Sequence, residues 1–247
     1  MQSSAKGIVL RTKATGDNRL VTLLTDEFGV IDAVARGAAA PRSKLTGATE
    51  QFCYSEFNLF RYRGNNTIDS AEVENPFFEL RGDLEALALA SYFAQLCCDL
   101  APHEEAAGEY LRLLLNCLFL IGRRKKPCAQ IKAVFELRLL TMAGYMPDLT
   151  GCTKCGQYRE EHMMFSVESG ALYCDTCVGG AMASAVPTGV LAAMRHIIYC
   201  ESAKLFSFSL PAESMKILSG FAERYLLMQV QRSYPALDFY RGIAGKQ

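Results

Sequence analysis

Two Cys-x2-Cys pairs, Cys152-Thr-Lys-Cys155-Gly156 and Cys174-Asp-Thr-Cys177, stand 18 residues apart, with residues 156 to 173 between them. Each pair can turn tightly enough to present both sulfurs to one ion, so four thiolates at this spacing can converge on a single tetrahedral Zn2+. Gly156 supports the turn, because the residue after a knuckle cysteine often needs positive φ. Between the pairs, Met163 to Val167, Ser169-Gly170 and Ala171 to Tyr173 read as two short strands and a glycine turn. The pattern predicts a zinc ribbon with one structural Zn2+ per chain, bound by Cys152, Cys155, Cys174 and Cys177. Four cysteines close the coordination shell, whereas a catalytic zinc keeps one position open. Paired disulfides would require an oxidising compartment, and Met1 to Lys6 has no apolar stretch of the secretory kind.

At 247 residues, half of them hydrophobic, the chain can bury a substantial core and has the length of two or three small domains. The longest apolar run, Leu111 to Ile121, is interrupted by Arg112 and Asn116, so no membrane span is expected. Lys plus Arg equals Asp plus Glu at 26 each, so any polyanion surface must come from local clustering. The remaining cysteines, Cys53, Cys97, Cys98, Cys117, Cys128 and Cys200, lie among apolar residues as small hydrophobes.

Residues 1–80 are predicted to form a five-stranded OB barrel. Strands are expected at Gly7 to Lys13, Leu20 to Thr25, Val30 to Arg36, Gln51 to Tyr62 and Thr67 to Val73, with a turn at Gly64-Asn65-Asn66. Five strands in so short a stretch are too few for a sandwich. OB barrels commonly bind single strands through a basic groove and aromatic platforms. Two clusters suit that role: Arg36, Arg42 and Lys44 in a loop without acids, and Arg61 with Arg63, which spacing by two puts on one strand face. Phe52, Tyr54, Phe57 and Phe60 are expected mainly in the core. The alternative is an ordinary solvated edge, with the barrel binding a protein.

From residue 81 the period becomes helical. Asp83 is expected to cap a helix ending at Leu100, followed by helices from Glu104 to Ile121 and from Ala129 to Ala143, with Gly144 after the last. The fold class is therefore α+β: a barrel, a helical domain over 81–150, the ribbon inserted at 151–180, and completion of the helical domain over 181–247. Helices from Pro187 to Cys200 and from Pro211 to about Val230 belong to that completion. Arg123-Arg124-Lys125-Lys126, with Lys132 and Arg138 beyond, forms a second candidate patch for DNA or an acidic peptide; the alternative is complementing a helix C-terminus. His196 reads as a hydrogen-bonded core residue.

Nucleotide-binding glycine loops, His-Glu-x2-His and Gly-x-Ser-x-Gly are all lacking. His103, His162 and His196 sit in disparate contexts. The adjacent carboxylates Glu104-Glu105 and Glu160-Glu161 read as solvated faces. No enzyme activity is expected.

Several motifs in order give the chain a family likeness: Gly7 to Leu10, Thr22 to Thr25, Gly29, Ala35-Arg36-Gly37-Ala38 with Ser43, Phe135 to Leu140, and Gly144-Tyr145-Met146-Pro147. They continue through the first cysteine pair, Phe165-Ser166, Gly170 and the second pair. The chain resembles the bacterial recombination mediator family RecO over nearly its whole length. The resemblance implies binding of single- and double-stranded DNA and annealing of complementary strands. It also implies action with RecR on strands coated by single-strand-binding protein, and loading of RecA in recombinational DNA repair. It places a DNA-contacting loop at Arg36, Arg42 and Lys44, with Ala39 and Ala40 where relatives often carry further cations. It further implies a cytoplasmic protein, nucleoid-associated during repair. The acidic, apolar-ended tail of single-strand-binding protein is expected to dock near Arg123 to Lys126. A zinc-stabilised adaptor whose barrel binds a protein partner is the alternative.

Overall fold

The computed structural model describes residues 2–158, 161 and 163–244. His162 and Glu160, considered above for catalysis, lie outside the described residues. The described chain divides into two compact units, one up to Lys125 together with the residues from Tyr234 onward, the other Lys126–Ser233.

The first unit opens with five strands: β1 (Gln2–Thr15), β2 (Asn18–Thr25), β3 (Gly29–Ala35), β4 (Tyr54–Tyr62) and β5 (Asn65–Asn75). They close into a barrel in the order β1-β2-β3-β5-β4, the OB arrangement expected from the strand count. Alternation sends Val21 and Leu23, Ile31 and Ala33, and Phe57 and Leu59 into one core. β3 and β5 pair in parallel over only Ala33–Ala35 and Asn66–Ile68, so the wall is short there.

β1 is longer than its alternating segment, and a bulge skips Leu10 between the pairs Val9↔Leu23 and Arg11↔Thr22. Gly7 to Leu10 is buried on both faces of the strand, since β1 packs on α1 as well as lining the barrel core. The limits of β4 and β5 also differ from expectation. Gln51 to Cys53 form a turn with Phe52 at φ 68°, and β4 begins at Tyr54. The β4–β5 hairpin turns at Arg63-Gly64, where both φ values are positive, at 49° and 77°, the pattern of a two-residue type I′ turn.

After a short 3-10 helix at Phe78–Gly82, α1 (Leu84–Leu100) starts where expected. The Asp83 carboxylate accepts hydrogen bonds from the amides of Glu85 at 2.9 Å and Ala86 at 3.2 Å. α2 runs only over Gly108–Gly122 instead of from Glu104. The lost turn docks on the barrel: the Val30 amide donates to Pro102 O at 2.8 Å and the Ala107 amide to Asp26 O at 2.9 Å. Gly29 is required here, since a Cβ would fall 2.1 Å from Pro102 O. The last helix, α6 (Pro235–Ala244), was not foreseen; it packs on α1, with the Tyr234 ring 5.8 Å edge-on to Tyr92.

The second unit contains α3 (Cys128–Met142), the ribbon strands β6 (Asp148–Cys152), β7 (Met163–Ser166), β8 (Ala171–Cys174) and β9 (Ser184–Val186), then α4 (Thr188–Tyr199) and α5 (Ala212–Val230). The strands form one sheet in the order β6-β8-β7-β9. This ribbon is seated on α5. Phe165 meets the Phe221 and Tyr225 rings edge-on, and Gly170, at φ 65°, lies where a Cβ would strike the Tyr225 hydroxyl at 2.7 Å. His196 is half-buried, its Nε2 2.9 Å from Lys204 O and its ring edge-on to Phe208. No helix among the described residues is long and apolar enough to cross a membrane.

Candidate nucleic-acid interface and metal centre

The cysteine pairs fold as their spacing demands. The Gly156 amide donates to Cys152 O at 2.7 Å and the Cys177 and Val178 amides to Cys174 O at 3.0 Å, closing both knuckles. Gly156 has the positive φ expected of it, 69°. The four sulfurs lie within 4.8 Å of one another, and Cys155 Sγ is 3.9 Å from Cys174 Sγ. Bonds of about 2.3 Å to a tetrahedral zinc put its sulfurs about 3.8 Å apart, so the cluster can hold a metal ion with little movement. Amides of Cys174 and Cys155 hold the Cys152 thiol down at about 6, favouring the thiolate a metal requires. Hydrogen bonding to Cys174 and Cys155, in a crowd of sulfurs, pushes Cys177 up to about 12. None of the ten cysteines forms a disulfide.

On the barrel, an open cleft of about 480 Å³ crosses the short β3–β5 junction. Asp32, Val34 and Arg36 face it from one side; Phe60 and Tyr62 face it from β4. These two rings are 48% and 57% exposed, whereas Phe52 and Phe57 are core residues and Tyr54 is half-buried. Of the four aromatics assigned mainly to the core, Phe60 thus points outward. Phe60 and Tyr62 stand two residues apart on one strand face.

The adjoining loop presents Arg36, Arg42 and Lys44 as exposed side chains, and none is in an ion pair among the described residues. Thr46 Oγ1 and the Ala39, Ala40 and Ser43 amides bond within the barrel and loop, so the cations extend from an ordered turn framework.

Arg61 and Arg63 do not form the shared strand face expected of them. β4 ends at Tyr62, and Arg63 belongs to the hairpin turn, its guanidinium 5.2 Å from the Tyr62 ring centroid. Arg61 is engaged elsewhere: its Nε donates to Asn66 Oδ1 at 2.9 Å, its Nη2 bonds the Glu104 carboxylate, and its guanidinium covers the Phe28 ring.

The second basic run is also partly committed. Arg123 pairs with Glu79 at 3.4 Å and Arg124 with Asp83 at 2.6 Å; Lys125 lies 5.6 Å from the Phe119 ring centroid. Lys126 is half-buried. Lys132 and Arg138 are no part of any surface patch. Lys132 is 2% exposed and bridges Glu136 at 2.9 Å and Glu223 at 2.7 Å. Arg138 donates to the carbonyls of Ile197 and Ile198. Periodicity alone does not distinguish a buried lysine on a helix apolar on most sides.

Comparison with known proteins covers both units. The family model described as Recombination protein O N terminal matches residues 1–77, and Recombination protein O C terminal matches residues 81–238. The chain is 32% identical to the DNA repair protein RecO of Acetivibrio thermocellus, over 95% of this chain and 94% of that one. It is 30% identical to that of Symbiobacterium thermophilum, over 94% of each. With the Desulforamulus reducens protein of the same name it shares 35% over 69% of this chain and 66% of the relative. A five-stranded barrel, a helical region bearing a four-cysteine ribbon, and matches spanning both place this chain in the RecO family.

Proposed function

We propose that this protein is a recombination mediator that binds and anneals single-stranded DNA, also binds duplex, and works with RecR on strands coated by single-strand-binding protein to promote RecA loading. The barrel cleft is the observation that carries the reading. It joins two exposed rings to Arg36, and in the adjoining loop Arg42 and Lys44 have no ion pair among the described residues, the combination of stacking platform and phosphate contacts that single-strand binding requires. In this reading Arg36, Arg42 and Lys44 meet phosphates, Arg63 adds a cation at the hairpin tip, and Arg61 braces the cleft wall. Arg123, Arg124, Lys125 and Lys126 form a secondary surface for duplex or the acidic tail of single-strand-binding protein, weakened by Glu79 and Asp83. The work is done in the cytoplasm, at the nucleoid during repair. Zn2+ in the ribbon is structural: it would cross-link two knuckles without taking part in chemistry, and metal analysis of the purified chain is expected to find about one zinc.

The test is affinity for labelled single-stranded DNA across a salt series, comparing the native chain with an Arg36→Ala, Arg42→Ala, Lys44→Ala variant. Loss of three phosphate contacts lowers the log-log slope by about 0.7 each, roughly two in all. An unchanged slope would move the DNA to Arg123 to Lys126. No binding by either protein would leave the barrel as a protein-binding adaptor.

A further inference from the structure

A carboxylate in a phosphate-binding cleft needs a reason, because it repels the ligand the cleft attracts. Asp32 is such a group. Alternation along β3 turns it outward with Val34 and Arg36, into the space faced by Phe60 and Tyr62. It is held in place: Asp32 lies opposite Thr22 on β2, whose hydroxyl donates to Oδ1 at 2.6 Å, and its carbonyl accepts from Asn66 Nδ2 at 2.9 Å. Among the described residues no cation pairs with it. Its second oxygen is therefore free to accept.

The other fixed polar group on this wall is already used. Asn66 donates to Asp32 O and accepts from Arg61 Nε, leaving Asp32 as the positioned acceptor in the cleft. A base stacked on Phe60 or Tyr62 turns its edge toward the cleft walls. Cytosine offers an N4 amino group, adenine N6, and guanine N2, each a donor to a carboxylate. Thymine lacks an amino group; its single donor, N3–H, is flanked by the O2 and O4 acceptors, which a carboxylate repels, so it is a poorer partner than an exocyclic amino group.

We propose that Asp32 makes the barrel cleft selective among bases, admitting the amino-bearing bases ahead of thymine. This rests on the reading of the cleft as the single-strand site. The phosphate contacts of Arg36, Arg42 and Lys44 then supply sequence-independent affinity, while Asp32 sets a preference at the stacked position.

The experiment measures affinity of the full chain for oligo-dC and oligo-dT of equal length at fixed salt, pyrimidine strands with little self-stacking. The native chain is expected to bind oligo-dC about tenfold more tightly, near the low end of one good base contact. Asp32→Asn should bind both strands more tightly, since a negative charge is gone, and bring their ratio towards one, because an amide can also donate to thymine O4. Phe60→Ala and Tyr62→Ala, both at exposed positions, report on the cleft itself. Weakening of both strands by these variants, with equal native affinities, would overturn the selectivity and leave the cleft as the site. A preference that survives in Asp32→Asn would also overturn it. If the ring variants bind both strands as the native chain does, the DNA lies elsewhere and the inference falls with its premise.

Discussion

Two runs of positive charge, Arg36 to Lys44 on the barrel and Arg123 to Lys126 after α2, offer similar promise to a polyanion in sequence, and folding leaves them in different electrostatic states. Among the described residues the loop cations have no acidic partner, whereas Glu79 and Asp83 neutralise Arg123 and Arg124. Lys132, which extends the second run in sequence, is inside its unit between two glutamates. The lesson is that a cation's usefulness to a ligand depends on residues distant in the chain. Exposure also matters: a free exposed charge costs little to keep for a ligand, whereas a buried one must be paired.

The largest expected effect comes from the buried end of this contrast. Lys132→Ala leaves Glu136, fully buried, without its cation, and should destabilise the protein by about 3–5 kcal/mol, read by denaturant unfolding. Lys132→Met, which keeps most of the volume, tests the same charge, and a loss below 1 kcal/mol in both variants would show that the pairing is dispensable. On the barrel, the triple loop variant should lose about a hundredfold in single-strand affinity near 0.1 M salt, the consequence of three lost contacts at about 0.7 decade each. A comparable loss in Arg123→Ala, Arg124→Ala would erase the distinction between the two runs.

A smaller effect is expected at Asp83, which both caps α1 and holds Arg124. Asp83→Ala should cost about 1 kcal/mol, chiefly the cap, while Asp83→Asn retains the cap and costs a few tenths. Burial alone would raise the Asp83 carboxyl, but the Ala86 amide and the Arg124 guanidinium outweigh it and hold it below the usual carboxylate value. Its folded value being depressed, the stability it contributes is present above the unfolded value of about 3.9 and fades as pH falls through the folded one. Asp83→Ala should therefore show a shallower acid-unfolding profile. The smallest effect is expected from Lys125→Ala, whose side chain rests on Phe119: a change of under one contact's worth in the salt slope, measured on the same DNA.

Strand count, the Asp83 cap, the start of α3 and Gly144 beyond its end were readable because each depends on a few neighbouring residues. The α2 start was not, since Pro102 O and the Ala107 amide bond to the barrel at Val30 and Asp26 and the residues between them do not continue a helix. Phe60 illustrates the same limit. Its spacing from Tyr62 is local, but which face of β4 turns outward is decided by the closed barrel, which takes Phe57 and Leu59 into its core.

What the sequence determined by itself was the four-cysteine ribbon, the five-strand barrel and the helical remainder, for these follow from short-range spacing, alternation and capping. Only the tertiary structure decided which charges stayed free, that Arg61 braces Glu104 over Phe28, that α6 packs on α1, and that Asp32 faces two exposed rings. Those outcomes depend on partners tens of residues away. Ion pairing and burial are long-range properties of a closed chain, and no local pattern encodes them.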